Sequence, residues 1–193
     1  GVVDTDPIDL QVSHNRVSTL YNAVPFNQDL YLFSAQTQFV LRAEGVLSPK
    51  TAVIDQVTEF DADTWIKPIG VGRNLYFTAQ KTDFTAVQEY FAVADSTTQK
   101  NATDITGHVP NFLKNKIYSL KACGNENILM LLSDNQRDTM YIYKFLFLND
   151  TKAQASWSRW TFDGEIVGAD FINSMMYLVI NRGGNTFLEK MPI

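Results

Sequence analysis

The stretch NILMLLSDNQRDTMYIYKF, residues 127–145, has the pattern that decides the fold. Two runs rich in apolar and aromatic residues, 128–132 and 139–145, flank a short polar segment with two aspartates and an asparagine. Runs of this length and composition favour β-strands, and a short polar connection between two of them is typical of a hairpin. The stretch therefore predicts a pair of antiparallel strands.

The same hairpin pattern occurs three more times, at 29–41, 74–93 and 174–191. The equivalent central residues of the four hairpins are separated by 45, 53 and 48 residues, and they are Tyr31, Tyr76, Leu129 and Tyr177. This spacing lies in the range of propeller blade repeats. A four-stranded blade has two apolar faces that it cannot cover alone, whereas blades stacked around an axis cover each other.

We therefore predict an all-β fold, a propeller-like array of about four antiparallel blades that is part of a larger propeller. A β-sandwich also has many short strands and is the alternative fold. The segment 1–28 is expected to lead into the propeller, and 29–193 to form the partial propeller. The blade-like units are expected near residues 29–67, 68–106, 116–162 and 166–193.

The remaining strand-like runs are assigned by their place between the hairpins. The segments 52–58 and 157–162 are predicted outer strands, whereas 116–122 and 166–172 are predicted inner strands that begin the next unit. Helix signals are weak: 14–21 and 50–60 could each form a turn or two, but neither has a pair of start and stop signals.

Composition indicates a packed domain that does not grip nucleic acid. The chain is 45% hydrophobic, which is enough for a core, and its net charge is −5. A surface that holds DNA is normally basic because it neutralises phosphates. Lys114 and Lys116 could form a small basic patch, but two loop lysines are usually solvated. DNA could still pass the protein without being held.

No set of residues forms a recognisable catalytic or metal site, so we predict that the chain is not an enzyme and has no catalytic, cofactor-binding or metal-binding residues and no cofactor. Cys123 lies in an apolar run, which favours a buried structural thiol, and the only histidines are His14 and His108. Carboxylates that look metal-like, Asp4-Thr5-Asp6 with Asp9 and Glu59-Phe60-Asp61-Ala62-Asp63, lack the glycine and ligand spacing of a calcium loop. These acids are expected to be solvated.

Two further motifs have structural interpretations. The glycines of Gly70-Val71-Gly72 precede a strand instead of a helix, so they predict a tight turn, as do Gly183 and Gly184. Trp157 and Trp160 lie three residues apart and are therefore expected on opposite faces of a strand. Core or interface packing is favoured for them over stacking on a sugar.

The chain resembles the tail nozzle proteins of short-tailed bacteriophages, also called tail tubular protein B. The resemblance runs in order through nearly the whole chain. The segments that carry it are 4–9, 23–26, 36–41, 72–77, 101–111, 140–146 and 156–160. Such co-linear similarity is more specific than any single motif.

The resemblance implies a structural role in the virion tail. Family members form a hexameric tube through which viral DNA is ejected into the host, and their central part is a β-propeller. Implied partners are further copies of the chain, the adaptor ring protein (tail tubular protein A), the tail fibres, the passing DNA and the host envelope. The alternative functions are a glycan hydrolase carried on the tail and a module that binds a host receptor.

Overall fold

Fifteen β-strands, β1 to β15, form four antiparallel sheets in the computed structural model, which describes residues 3, 5–11, 18–91, 101–149 and 151–193. These residues contain no α-helix, and therefore no helix that is long and apolar enough to cross a membrane. The all-β prediction is confirmed.

The strands of each sheet follow one another in chain order. Sheet 1 consists of β1 (Asn22–Phe26), β2 (Asp29–Phe33), β3 (Gln38–Ala43) and β4 (Ala52–Thr58). Sheet 2 consists of β5 (Ile69–Val71), β6 (Asn74–Gln80), β7 (Thr85–Phe91) and β8 (Thr103–Asp104). Sheet 3 consists of β9 (Ile117–Cys123), β10 (Ile128–Ser133), β11 (Thr139–Leu148) and β12 (Thr151–Thr161). Sheet 4 consists of β13 (Glu165–Ile172), β14 (Met175–Arg182) and β15 (Asn185–Pro192).

The four predicted hairpins are the central strand pairs of the four sheets. In the first, Tyr31 of β2 lies opposite Val40 of β3, and in the third, Leu131 of β10 lies opposite Tyr141 of β11. The pairs β6–β7 and β14–β15 complete the set. Of the segment 74–93, residues 92 and 93 lie outside the described residues.

Hairpin turns use residues that tolerate positive φ. Gly183 and Gly184, with φ of 57° and 85°, form the two-residue connection of β14 and β15, as the sequence predicts. Two consecutive positive φ values are required by the type I′ turn, whose twist matches that of the flanking strands. Gly72, with φ of 56°, turns β5 into β6 as predicted. Gly70, predicted in the same turn, instead lies within β5 and pairs with Leu75.

Three hydrophobic clusters lie between consecutive sheets. Phe33 of sheet 1 and Phe77 of sheet 2 belong to the first cluster. Tyr76 of sheet 2 and Leu131 of sheet 3 belong to the second. Met130 of sheet 3 and Leu178 of sheet 4 belong to the third. Each middle sheet therefore packs on both faces, as predicted for a propeller-like array of four blades.

The first strands of consecutive sheets, β1, β5, β9 and β13, are neighbours in space. They form the inner edge of the array, and the fourth strands of sheets 1 to 3 form its outer edge. The predicted inner and outer strands are confirmed. The segment 50–60 contains β4 and is not helical, because its β-branched residues complete the edge of sheet 1. Of 14–21, the structure describes 18–21, which contain no helical turn.

Two inner strands, β1 and β5, were not predicted. The short β5 lies where the sequence indicated a turn, and it pairs with the first residues of β6. β1 falls within the segment 1–28 and contains Pro25, which argues against a central strand. Because β1 is an edge strand that pairs only with β2, a residue without a backbone N–H is tolerated there.

Stability should depend on the apolar contacts between the sheets. Leu131 is fully buried in the second cluster, so we expect Leu131→Ala to lower the free energy of unfolding by about 2–5 kcal/mol. Leu188 is 74% exposed, so Leu188→Ala should change it by less than about 0.5 kcal/mol. Urea denaturation followed by circular dichroism measures both. Equal effects of the two substitutions would contradict this account of the core.

Candidate functional site

Of the thiol and the two histidines singled out in the sequence, the structure describes Cys123 and His108. Cys123 is 3% exposed and its Sγ donates a hydrogen bond to the carbonyl oxygen of Asn173 at 3.1 Å. The prediction of a buried structural thiol is confirmed. His108 is exposed, and His14 lies outside the described residues.

The acidic residues that the structure describes in the segments 4–9 and 59–63 make separate contacts and do not form a shared site. Asp6 accepts a hydrogen bond from the backbone N–H of Val3 at 2.8 Å, Asp9 is exposed, and Asp4 lies outside the described residues. Glu59 accepts from the side-chain amide of Gln56 at 2.9 Å. Within the part of the chain that the structure describes, no three histidine, cysteine or acidic residues are placed to hold a metal ion.

The expectation that the acids of 59–63 are solvated is wrong for Asp63. Asp61 is exposed and pairs with Lys81 at 3.6 Å, but Asp63 is only 8% exposed. Its Oδ1 accepts the backbone N–H of Gln80 at 2.8 Å, and its own N–H donates to the carbonyl oxygen of Thr78. Asp63 thereby attaches the connection between sheets 1 and 2 to β6.

Burial raises the pKa of the Asp63 carboxyl above its usual value, because desolvation penalises the charged form. The hydrogen bond from Gln80 and the charges of Lys116 and Lys81 act in the opposite direction but do not cancel the effect of burial. The folded protein therefore binds a proton at Asp63 more readily than the unfolded chain does.

The tryptophans occupy opposite faces of β12, as predicted. Trp157 packs in the cluster between sheets 2 and 3, where its Nε1 donates to the carbonyl oxygen of Ile105 at 2.9 Å. Trp160 packs against the cluster between sheets 3 and 4. The basic residue Lys116 lies over the ring of Trp65, with its Nζ 4.4 Å from the ring centroid.

A polar network interrupts the apolar interface between sheets 2 and 3. Glu89 of β7 is 6% exposed, and both of its carboxylate oxygens accept from the Nζ of Lys152, at 2.7 and 2.6 Å. Lys152 also donates to the hydroxyl of Tyr143 at 3.1 Å. On the other side, the side-chain amide of Asn74 donates to the hydroxyl of Tyr76 at 2.8 Å.

The network is surrounded by aromatic rings. The Nζ of Lys152 lies 5.5, 6.0 and 5.6 Å from the ring centroids of Tyr143, Phe145 and Phe147, distances that allow cation–π attraction. Burial first, and then the nearby Glu89, raise the pKa of the Tyr76 hydroxyl, and both also raise that of Tyr143. The two tyrosines are therefore neutral, and a single carboxylate faces a single ammonium group.

Sequence reasoning missed this network. A weak signal was present, because Glu89 is the only charged residue in β7, a strand whose other residues are mostly buried. A buried acid requires a partner. The partner, 63 residues further along the chain, had no signal of its own in the sequence.

The face of sheet 4 that points away from sheet 3 carries exposed apolar side chains, with the charged Asp170 and Lys190 between them. Leu188 lies opposite Val179, and Ile172 lies opposite Met175, so these four side chains share one face of the sheet. Leu188 and Ile172 are 74% and 62% exposed. Sheet 4 also has three strands where sheets 1 to 3 have four.

Replacing Asp63 should change how stability depends on pH. Because its folded-state pKa is raised, Asp63 contributes stability that is fully present below its unfolded value of 3.8 and lost as pH rises through the folded value. Asp63→Asn keeps the acceptor for Gln80 but cannot titrate. We therefore expect the stability of the unmodified chain relative to Asp63→Asn to increase as the pH falls from 7 to 4.

Urea unfolding at a series of pH values measures this difference. Asp61→Asn, which removes an exposed acid of the same connection, is the matched control for loss of one negative charge. A stability difference that is constant with pH, or that changes in the opposite direction, contradicts the prediction.

Comparison with known proteins identifies the family of the chain. The model of the bacteriophage nozzle protein family matches residues 1–193. The tail tubular protein gp12 of Escherichia phage T7 is 40% identical to the chain over 190 residues, which cover 97% of this chain and 24% of that protein. The chain thus spans about a quarter of the length of this curated relative. The chain belongs to the bacteriophage nozzle protein family.

Proposed function

We propose that the chain is a structural part of a phage tail nozzle, through which viral DNA is ejected, and that it does not act as an enzyme. The observation that carries the proposal is the match of the whole chain to the nozzle family. The name of the T7 relative, a tail tubular protein, supports the same role.

The architecture suits a wall component. Stacked sheets bury their faces against each other, and such an interface is stiff because protein interiors are close-packed. The net charge of −5 disfavours retention of a moving polyanion, since tight binding of DNA requires cations at the phosphates. The proposed partners are further copies of the protein in a hexameric ring, the tail adaptor protein, the tail fibres and the host envelope.

The test of this role is to locate the protein in virions. Antibodies raised against the chain should label the tail end in electron micrographs of intact phage particles, and mass spectrometry of purified virions should detect peptides from 1–193. Labelling of the capsid, or detection only in the soluble fraction of infected cells, would refute the proposal. Release of sugar from host envelope by the purified protein would favour the hydrolase alternative instead.

The array is, in this proposal, part of a larger propeller. The uncovered face exposes Leu188 and Ile172, apolar side chains of the kind that pack between sheets 3 and 4, and it also carries the charged Asp170 and Lys190. An exposed apolar face of this kind marks a contact surface. The occupant we assign is a further antiparallel sheet of the full-length protein, which would repeat the contact between sheets 3 and 4.

This assignment predicts a different effect of one substitution in two proteins. Leu188→Asp should leave the stability of the 193-residue chain nearly unchanged, since the side chain is 74% exposed. In the full-length protein it should lower the midpoint of thermal unfolding, because it places a charge in a covered apolar interface. Val46→Asp, at a residue that is 83% exposed outside this face, is the control. Equal effects of the two substitutions in the full-length protein would rule out the covering sheet.

A further inference from the structure

The end of the β11–β12 hairpin extends beyond the rest of sheet 3. Lys144 of β11 pairs with Ile128, the first residue of β10, and the N–H of the buried Phe145 still donates to the carbonyl oxygen of Asn127 at 3.1 Å. Past Phe145, β11 pairs only with β12. The extension consists of residues 146–148 of β11 and 151–154 of β12, and we call it the strap. A two-stranded ribbon of this length is only marginally stable by itself in water. The position of the strap therefore depends on the residues that it contacts.

The strap contacts sheet 2 through one of its faces. The rings of Phe147 and Phe91 of β7 are stacked, with centroids 5.0 Å apart and an interplanar angle of 3°. Phe145, the buried residue at which the strap begins, lies 5.8 Å from Tyr76 of β6, measured between ring centroids. The opposite face carries Leu146 and Leu148, which are 46% and 60% exposed. The strap therefore lies across the end of sheet 2.

A β-bulge turns Lys152 toward sheet 2. Leu146 pairs with Gln154, but the next residue, Phe147, pairs with Lys152, so Ala153 has no partner on β11. In a regular strand residues 152 and 154 point to the same face. The extra residue places Lys152 on the face of Phe147 instead, which is how bulges redirect a side chain. The bulge thus brings the ammonium group to Glu89.

The contact of Lys152 with Glu89 is stronger than a typical surface ion pair. Glu89 is 6% exposed, and the Lys152 side chain is 24% exposed. The ammonium group donates to both carboxylate oxygens and to Tyr143, and its remaining surroundings are aromatic rings. By contrast, Lys144 on the outer face of the same hairpin is 58% exposed and lies 4.0 Å from Glu126. Exposed pairs of that kind contribute little.

We propose that the strap is a releasable clamp between sheets 2 and 3, and that insertion of Lys152 beside Glu89 is its lock. When the lock is broken, the strap detaches from sheet 2 while the four sheets remain folded. The clamp is therefore a local conformational device that fixes how sheet 2 is held against sheet 3. It does not depend on the proposed role in the tail.

Hydrogen–deuterium exchange of the native 193-residue chain tests the clamp. Lys152→Met should increase the exchange rate of amides in 146–148 and 151–154 at least tenfold and leave the amide of Phe145 and those of β13 and β14 unchanged. Glu89→Gln should act in the same way, and the double variant should exchange no faster than the faster single variant. Lys144→Met, on the opposite face, is the matched control and should have no effect.

Unchanged exchange of the strap in Lys152→Met, additive effects in the double variant, or an equal increase in all four sheets would overturn the proposal. Deletion of Ala153 provides a second variant, because it removes the bulge, retains Lys152 and should release the strap to the same extent. If the variants fail to fold, the unmodified chain still decides the question. If the strap opens locally, the exchange rate of its amides should not change when low concentrations of urea are added. An exchange rate that rises with urea as steeply as that of the core amides would show exchange through global unfolding and would disprove a local clamp.

Discussion

Each of the two middle sheets has two apolar faces to remove from water, and the rest of the structure depends on this constraint. All six residues of β10 are buried. Leu129 and Leu131 belong to the cluster with sheet 2, whereas Ile128, Met130 and Leu132 belong to the cluster with sheet 4. Because both faces are covered, β10 reads as a continuous apolar run instead of an alternating one.

The need to cover both faces of a sheet also accounts for the order of the sheets and for the uncovered outer face of sheet 4. A sheet that must be covered twice packs against its neighbours in the chain, since short connections favour neighbours in space. Sheet 4 has its inner face covered by sheet 3, and its outer face, with Leu188 and Ile172, lacks a partner in the described structure. An array built in this way forms a wall that can be extended by further sheets of the same kind.

The polar network between sheets 2 and 3 is the exception to this apolar rule. Apolar contacts are not directional, so they specify which faces pack together less sharply than a hydrogen-bonded pair does. Both oxygens of the buried Glu89 carboxylate accept from the ammonium group of Lys152, which requires these two side chains to lie next to each other. Specificity of arrangement is the best-supported use of buried ionic groups.

The sequence alone determined the fold class and the four hairpins, because the runs around Tyr31, Tyr76, Leu129 and Tyr177 are long, apolar and regularly spaced. It also indicated β4, β9, β12 and β13 beside these hairpins, but not β1, β5 or β8. It also determined the opposite orientations of Trp157 and Trp160, which follow from the period of a strand. Only the tertiary structure decided that Asp63 is buried and that Glu89 meets Lys152. The physical reason is that a local sequence pattern determines how side chains alternate along a strand, but not which sheets pack together. The partner of the buried Glu89 depends on the packing of sheets 2 and 3. It also depends on Ala153, an unpaired residue that reverses the alternation of side chains in β12.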